Sequence, residues 1–536
     1  MALALFVLGA RLITHLWCNE IRPRLSGTHI KTTNYAVERR VIDVMAAIAE
    51  EQRHPAAKSY FVGSSPSRRL GRREELPCRL TEIQRSMHLQ VLGQTGSGKT
   101  ASVLFVLALQ DMLRGKGVIV IDFKGSSENV TVMRNLAALA GRSDDLRIFS
   151  PTHPESHTYN PLYLRARSAT DKGGDPLAVA ERVFSVFKPE MQELYYKNLG
   201  DSFFRSVICA LHGIVDHKGE SFPFTFEDVL EVLQNPDTLQ WVLGQTTDKN
   251  AARNLYHQLK NLGRDAGSSL MGLQNMVQKY CDLPLVNATQ PDIIIDEVFE
   301  RNLIAYFQLP ANFYANLTVD VGRIVLQDIQ QAGARRQVYR AAANQTPIAV
   351  HIDEFSNLAT AESASSIISS LNKLRDAHVQ FTLAHQILAD LEAVSPEFAN
   401  GIWGNTRTKI ILAQQDPKLA EHLSKSLGTK SALKFTARHT VSDLAVSLNA
   451  GEHSVREVEE FNLHPNAIKQ LAPVGQAYLV HGSDFRPLNL GCLPKRLFEL
   501  EPNAPLVPRR AQDRGLRLRD LVNATAPASE DQSCLH

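Results

Sequence analysis

The chain has 536 residues, 44% hydrophobic and 21% charged, which is enough for two or three domains with full cores and excludes a disordered or fibrous polypeptide. A formal net charge of +2 excludes a protein that holds nucleic acid by bulk positive charge, so any such contact must come from local patches. The six cysteines (Cys18, Cys78, Cys209, Cys281, Cys492, Cys534) are scattered with no C-x-x-C pair, which argues against a zinc site and a disulfide framework and suits a reducing cytosol.

Met1 to Cys18 is strongly apolar, but Arg11 and His15 interrupt it, and it is barely long enough to span a bilayer. Basic residues follow it (Arg22, Arg24, Lys31, Arg39, Arg40), so that flank is expected to stay cytoplasmic. Residues 1–18 read as a short membrane anchor or as a soluble docking helix. Residues 19–80 read as a helical and linker region: an amphipathic helix over Ala36–Gln52, then a polar linker from His54 to Ser67 with Pro55, Gly63 and Pro66. Arg68 to Arg73 form a basic run, either a solvated loop or a phosphate contact.

At Val91 the chain reaches Val-Leu-Gly93-Gln94-Thr95-Gly96-Ser97-Gly98-Lys99-Thr100, which satisfies G-x-x-x-x-G-K-[ST] at every fixed position. The spacing predicts a strand over His88–Leu92 leading in and a helix over Ala101–Leu113 leading out, the context this phosphate-binding loop requires. The glycines let backbone N–H groups turn inward on phosphate oxygens, and the helix N-terminus adds partial positive charge. Lys99 is expected to reach the β- and γ-phosphates of ATP, and Thr100 to ligate Mg²⁺.

Gly117 to Gly125 reads as a buried parallel strand with Asp122 and Lys124 at its C-terminal end, in position to support the site. A helix (130–140) and a short strand (146–149) follow. At Tyr159-Asn160-Pro161-Leu162 the α/β alternation stops, and 175–284 is almost purely helical, an all-α insertion between sheet strands. Alternation resumes with a strand at 302–309 and a long helix over 317–339. Pro347 to Phe355 is a buried strand ending in Asp353-Glu354. There Asp353 is expected to hold Mg²⁺ and Glu354 to orient or deprotonate the attacking water; the other reading is a helix N-cap with an acidic first turn. A helix over 363–377 carries Lys373 and Arg375 in its last turn. The strand 379–386 ends on Gln386, which either meets the γ-phosphate and water or caps a helix. A strand at 408–413, Asp416-Pro417 opening a helix, and a hairpin-like pair near 476–488 complete the domain. Residues 501–536 are Pro-, Arg- and Ala-rich and are expected to be disordered.

The motifs HLQVLGQTGSGKT, VIVIDFKGS, YNPL before a helical insertion, IAVHIDEF, FTLAHQILADL and VREVEEFNLHPNAIKQLAPVGQAYLV resemble, in that order, the coupling proteins of type IV secretion, the DNA-transfer ATPases of the TraD and TraG group. The resemblance covers about Met87 to Val480. It implies an α/β fold: a RecA-like P-loop NTPase domain with a mixed, mostly parallel sheet (81–174 and 285–500) and an inserted all-α domain (175–284). It further implies a homohexameric ring at the cytoplasmic face of the bacterial inner membrane, moving single-stranded DNA with its relaxase from the relaxosome toward secretion-channel components. By the same resemblance Lys99, Thr100, Asp353, Glu354 and Gln386 map onto the ATP site, and Arg375 is an arginine lent to the neighbouring subunit. Family members typically carry two membrane spans; this chain has at most one weak span, which leaves a soluble cytoplasmic protein as the other expectation. Two further readings are a nucleotide-gated receptor for protein effectors and a DNA translocase like FtsK and HerA.

Overall fold

In a computed structural model the described residues are 42–53, 59–69, 72–164, 174–187, 194–215, 222–262, 266–313, 315–339, 345–361, 363–437, 453–472, 474–499 and 517–525. Thirteen strands are present among them: β1 (Ser59–Arg69), β2 (Arg72–Thr81), β3 (Leu89–Leu92), β4 (Gly117–Asp122), β5 (Leu146–Phe149), β6 (Ile304–Gln308), β7 (Ile348–Asp353), β8 (Val379–His385), β9 (Thr408–Leu412), β10 (Thr429–Ala437), β11 (His453–Phe461), β12 (Gln476–His481) and β13 (Asp484–Asn489). Eleven of them form one sheet in the order β2-β1-β13-β12-β9-β3-β8-β7-β4-β6-β5, and β10 and β11 form a separate ribbon. From β9 to β5 every pairing is parallel; β12, β13, β1 and β2 extend the sheet antiparallel. The expected mixed, mostly parallel sheet is therefore present.

The central strands are apolar on both faces because helices cover both. Along β4, Ile119 and Ile121 enter one core while Val118 and Val120 enter the other, the two-residue period of a pleated strand. The first core runs on without a break into the inserted helices, through Phe184, Phe203, Phe204 and Tyr280. The insertion comprises Pro176–Phe187, Leu194–His212, Phe226–Gln234, Pro236–Gln245, Lys249–Leu262 and Ala266–Cys281. Its stem is closed by a parallel bridge between Tyr159 and Ile293. Asn160 pins it further, its Nδ2 donating to the carbonyls of Phe224 and Ala288 at 3.0 Å each.

The structure corrects the sequence reading in three places. The stretch expected as a polar linker and basic run (54–73) is, from Ser59, a β-hairpin on the edge of the main sheet. Tyr60, Phe61 and Val62 are buried there, and a Cβ on Gly63 would stand 2.4 Å from the Asn489 carbonyl, so only glycine permits the approach of β13. Proline and serine disguised this strand by composition. The polar stretch after 426 holds the β10–β11 ribbon, in which alternation of charged and small residues hid two strands. In the tail expected to be disordered, Leu518–Thr525 is a helix docked on the insertion. Leu518 is fully buried and its N–H donates to Asp228 Oδ1 at 3.0 Å, while Arg517 Nη1 donates to Thr225 Oγ1 at 2.9 Å. The rest of the tail, Met1–Cys18 and the start of the expected 36–52 helix lie outside the described residues. Among the described residues no helix is long and apolar enough to cross a membrane.

Candidate nucleotide site

Strand order assembles this site. β8 lies between β3, which delivers the glycine loop, and β7, which ends in Asp353-Glu354, all three parallel. The C-terminal ends of parallel strands point the same way, so Lys99, Gln386 and Glu354 emerge on one edge, where open α/β sheets bind ligands. The loop backbone is braced from below, with Gly93 N–H on the His385 carbonyl at 3.4 Å and Gln94 N–H on the Ala413 carbonyl at 3.5 Å. Gly96 and Gly98 have φ of +78° and +90°, which costs a residue with a Cβ but not glycine. The exit helix starts earlier than expected, as a π-helical turn over Lys99–Leu104 that passes into α-helix at Phe105. Single π turns of this kind recur at functional sites.

Lys99 folds over its own loop, donating to the Gly93 carbonyl at 2.6 Å. Burial lowers its pKa; the carboxylates of Glu354 and Asp353 oppose that shift. Thr100 Oγ1 donates to Asp353 Oδ2 at 2.5 Å, so the two expected metal ligands already face each other. The Asp353 carboxyl is pushed up to about 6 by burial and then by the Asp122 carboxylate, its neighbour in register on β4. Asp122 is itself held by Asn129 Nδ2 at 2.7 Å, the Tyr306 hydroxyl at 2.8 Å and the Lys124 N–H at 2.9 Å. Asp122 thus stands beside Asp353, held by Asn129 and Tyr306, which carry no motif and were not legible in the sequence.

Glu354 has φ 54° and ψ 51°, a left-handed conformation that costs energy in a residue with a side chain. It precedes a 3₁₀ turn, Phe355–Leu358, but caps nothing with its side chain. Instead Gln386 Nε2 donates to both of its carboxylate oxygens at 3.2 Å. The same amide accepts from Thr95 Oγ1 at 2.8 Å. Gln386 therefore joins the phosphate loop to the carboxylate, and neither it nor Glu354 acts as a helix cap. Beneath it, His385 stays neutral: burial lowers its pKa to about 4, with Nε2 2.8 Å from Gln90 Nε2.

Arg375 is not brought to this edge. It sits in the last turn before β8 begins, about 20 Å from Gln386 by strand rise. Its side chain is 56% exposed, 3.8 Å from Asp376. Within one subunit it is the surface cation that a helix C-terminus favours.

The residues present fit a nucleotide triphosphate with Mg²⁺. Ser97 Oγ is buried in the loop with no hydrogen-bond partner, a polar group prepared for a ligand. A Cβ on Gly93 would lie 2.5 Å from that oxygen, so the glycine keeps the cradle open. Thr100 and Asp353 supply the hard oxygen donors that Mg²⁺ takes.

Residues 347–473 match the family described as the TraM recognition site of TraD and TraG. That segment includes Asp353, Glu354, Arg375, Gln386 and the β10–β11 ribbon. The fold as a whole is similar to solved structures of TrwB. For the bacterial conjugative coupling protein TrwBΔN70 in its unbound monoclinic form, identity is 17% and the TM-score 0.55, covering 88% of this chain and 95% of that one. TrwB in complex with a non-hydrolysable ATP analogue gives 17% identity and a TM-score of 0.54, covering 88% of this chain and 96% of that one. TrwB in complex with ADP and Mg²⁺ gives 17% and 0.52, covering 77% and 87%. No curated protein matches the chain.

Proposed function

We propose that this chain is the ATP-driven coupling protein of a conjugative type IV secretion system, which recruits a relaxosome and pumps single-stranded DNA with its attached relaxase toward the secretion channel. The observation that carries the reading is the line Thr95–Gln386–Glu354 set beside Thr100–Asp353, with Lys99 in the loop between. That arrangement supports hydrolysis and not binding alone. When bound, ATP with Mg²⁺ supplies the phosphoryl group and the charge that polarises it. Lys99 and the loop N–H groups hold the phosphate oxygens, and Thr100 and Asp353 hold the metal. Glu354, steadied by Gln386, takes or orients the proton of the attacking water. The complexes of TrwB with ADP and Mg²⁺ and with a non-hydrolysable ATP analogue support the same ligands here. The TraM-recognition match supports a relaxosome component as partner. A homohexamer at the cytoplasmic face of the inner membrane belongs to this reading, with 1–18 as anchor, 81–174 and 285–500 as the motor domain and 175–284 as the all-α domain.

The test is a pair of variants with and without single-stranded DNA. Lys99→Ala is expected to lose nucleotide binding and turnover together; Glu354→Gln is expected to keep ATP bound and stop its cleavage. Wild-type turnover is expected to rise with single-stranded DNA and to lose that stimulation steeply with salt. Turnover at the wild-type rate in Glu354→Gln refutes the catalytic assignment. Absence of DNA stimulation at every salt concentration favours a nucleotide-gated receptor for protein substrates.

A further inference from the structure

The insertion is charged unevenly. Its helices Phe226–Gln234 and Pro236–Gln245 carry Glu227, Asp228, Glu231 and Asp237 and no lysine or arginine. The helix Lys249–Leu262 (KNAARNLYHQLKNL) is the reverse: three basic residues and no acidic one. Its inner side is Ala251, Leu255 and Leu259, spaced four apart and set in the core. Lys249, Arg253, Tyr256 and Lys260 stand at i, i+4, i+7 and i+11, which at 100° per residue places all four on one outward stripe. All four are exposed, and Tyr256 is 54% accessible. His257 flanks the stripe, its ring centroid 5.9 Å from that of Tyr256. Among the described residues no carboxylate pairs with the three cations; Lys249 Nζ donates to the Thr246 carbonyl at 3.0 Å and Arg253 Nη2 to Asn250 Oδ1 at 2.6 Å.

A solvated helix ordinarily alternates Glu with Lys to gain i, i+4 pairs. This one forgoes them and keeps an aromatic ring in water. Cations without carboxylate partners, about 6 and 10 Å apart along the axis with a ring between the second and third, suit a polyanion that also offers flat faces. We propose that the stripe Lys249–Arg253–Tyr256–Lys260 is a contact site for single-stranded nucleic acid, an inference that rests on the DNA-handling reading above. The cations neutralise backbone phosphates and Tyr256 stacks on a base. The stripe runs about 16 Å, enough for a few nucleotides, and has no groove for reading base edges, so binding is indifferent to sequence.

The full-length protein is titrated into labelled oligothymidine by fluorescence anisotropy across a salt series. Lys249→Gln/Arg253→Gln/Lys260→Gln is expected to weaken binding and to reduce the slope of log K against log salt by about 2, three phosphates at about 0.7 each. Tyr256→Ala is expected to bind about tenfold more weakly with the slope unchanged, and Tyr256→Phe to bind as wild type. Every substituted side chain is on the surface, so DNA-free ATP turnover and melting temperature are expected to stay put. A wild-type slope in the triple variant overturns the proposal. So does a Tyr256→Ala protein that binds DNA normally while the triple variant loses anionic phosphatidylserine vesicles, which assigns the stripe to a lipid surface. Wild-type protein that binds no oligothymidine at low salt refutes the DNA-handling reading itself. Glu354→Gln is expected to bind oligothymidine with the wild-type affinity and slope, which separates this stripe from the ATP site.

Discussion

Gln386→Ala tests whether the amide that spans the site serves catalysis. In the structure one nitrogen reaches both oxygens of Glu354 at 3.2 Å, and the amide oxygen receives Thr95 at 2.8 Å. The two contacts to Glu354 share one donor group and lie near the long limit, so they count as about one hydrogen bond to a charged group, roughly 1.5–3 kcal/mol. If that bond matters mainly when water is attacked, kcat falls about 10- to 150-fold. Lys99, Thr100 and Asp353 are untouched, so affinity for a fluorescent ATP analogue is expected to stay within about threefold, since only the Thr95 contact is lost. Gln386 is partly exposed, and its removal leaves no buried donor behind, so the fold is expected to hold. Steady-state phosphate release and equilibrium nucleotide binding are measured on the same preparations. A kcat within twofold of wild type refutes the role given to Gln386, and an equal loss in affinity and turnover makes it a binding residue.

Three further outcomes are expected. Because the Asp353 carboxyl is raised to about 6, the metal-free folded protein holds a proton there that the unfolded chain releases near 4, so this group withdraws stability as pH rises from about 4 to 6, about 3 kcal/mol at most. Mg²⁺ needs the carboxylate, so the rise in melting temperature from Mg²⁺ with a non-hydrolysable ATP analogue is expected to be larger at pH 8 than at pH 5.5; equal shifts refute it. Arg375 lies away from its own loop, so Lys99→Ala and Arg375→Ala subunits, each inactive alone, are expected to recover activity when mixed before assembly; a fully active Arg375→Ala protein removes it from the mechanism. Leu518→Asp puts a carboxylate in an apolar seat beside Asp228 and is expected to release the tail helix, read as faster amide exchange over Phe226–Gln234 with DNA-free turnover retained. Unchanged exchange there refutes the docking.

Much of the site was legible in the sequence because its chemistry is local. A loop that curls around phosphate needs its glycines and lysine at set offsets, and an apolar run ending in Asp-Glu marks a buried strand that surfaces at its C-terminal end. The all-α insertion was equally plain, since helical periodicity over a hundred residues leaves little doubt of type. What the sequence could not say is which strands are neighbours. Only the tertiary fold inserts β8 between β3 and β7, and that alone turns Gln386 from a residue at a strand end into the link between Thr95 and Glu354. The hairpin at Ser59–Thr81 was missed because a strand of serine, proline and arginine resembles a linker until β2 and β13 are there to pair with it on either side. Asn129 and Tyr306 on Asp122, and the buried ion pair of Arg85 with Asp111, join residues 7, 184 and 26 positions apart. Local sequence determines what each segment can become; partners this distant are chosen by packing, because burying a charge is tolerable only where the fold brings its counter-charge or donor to it.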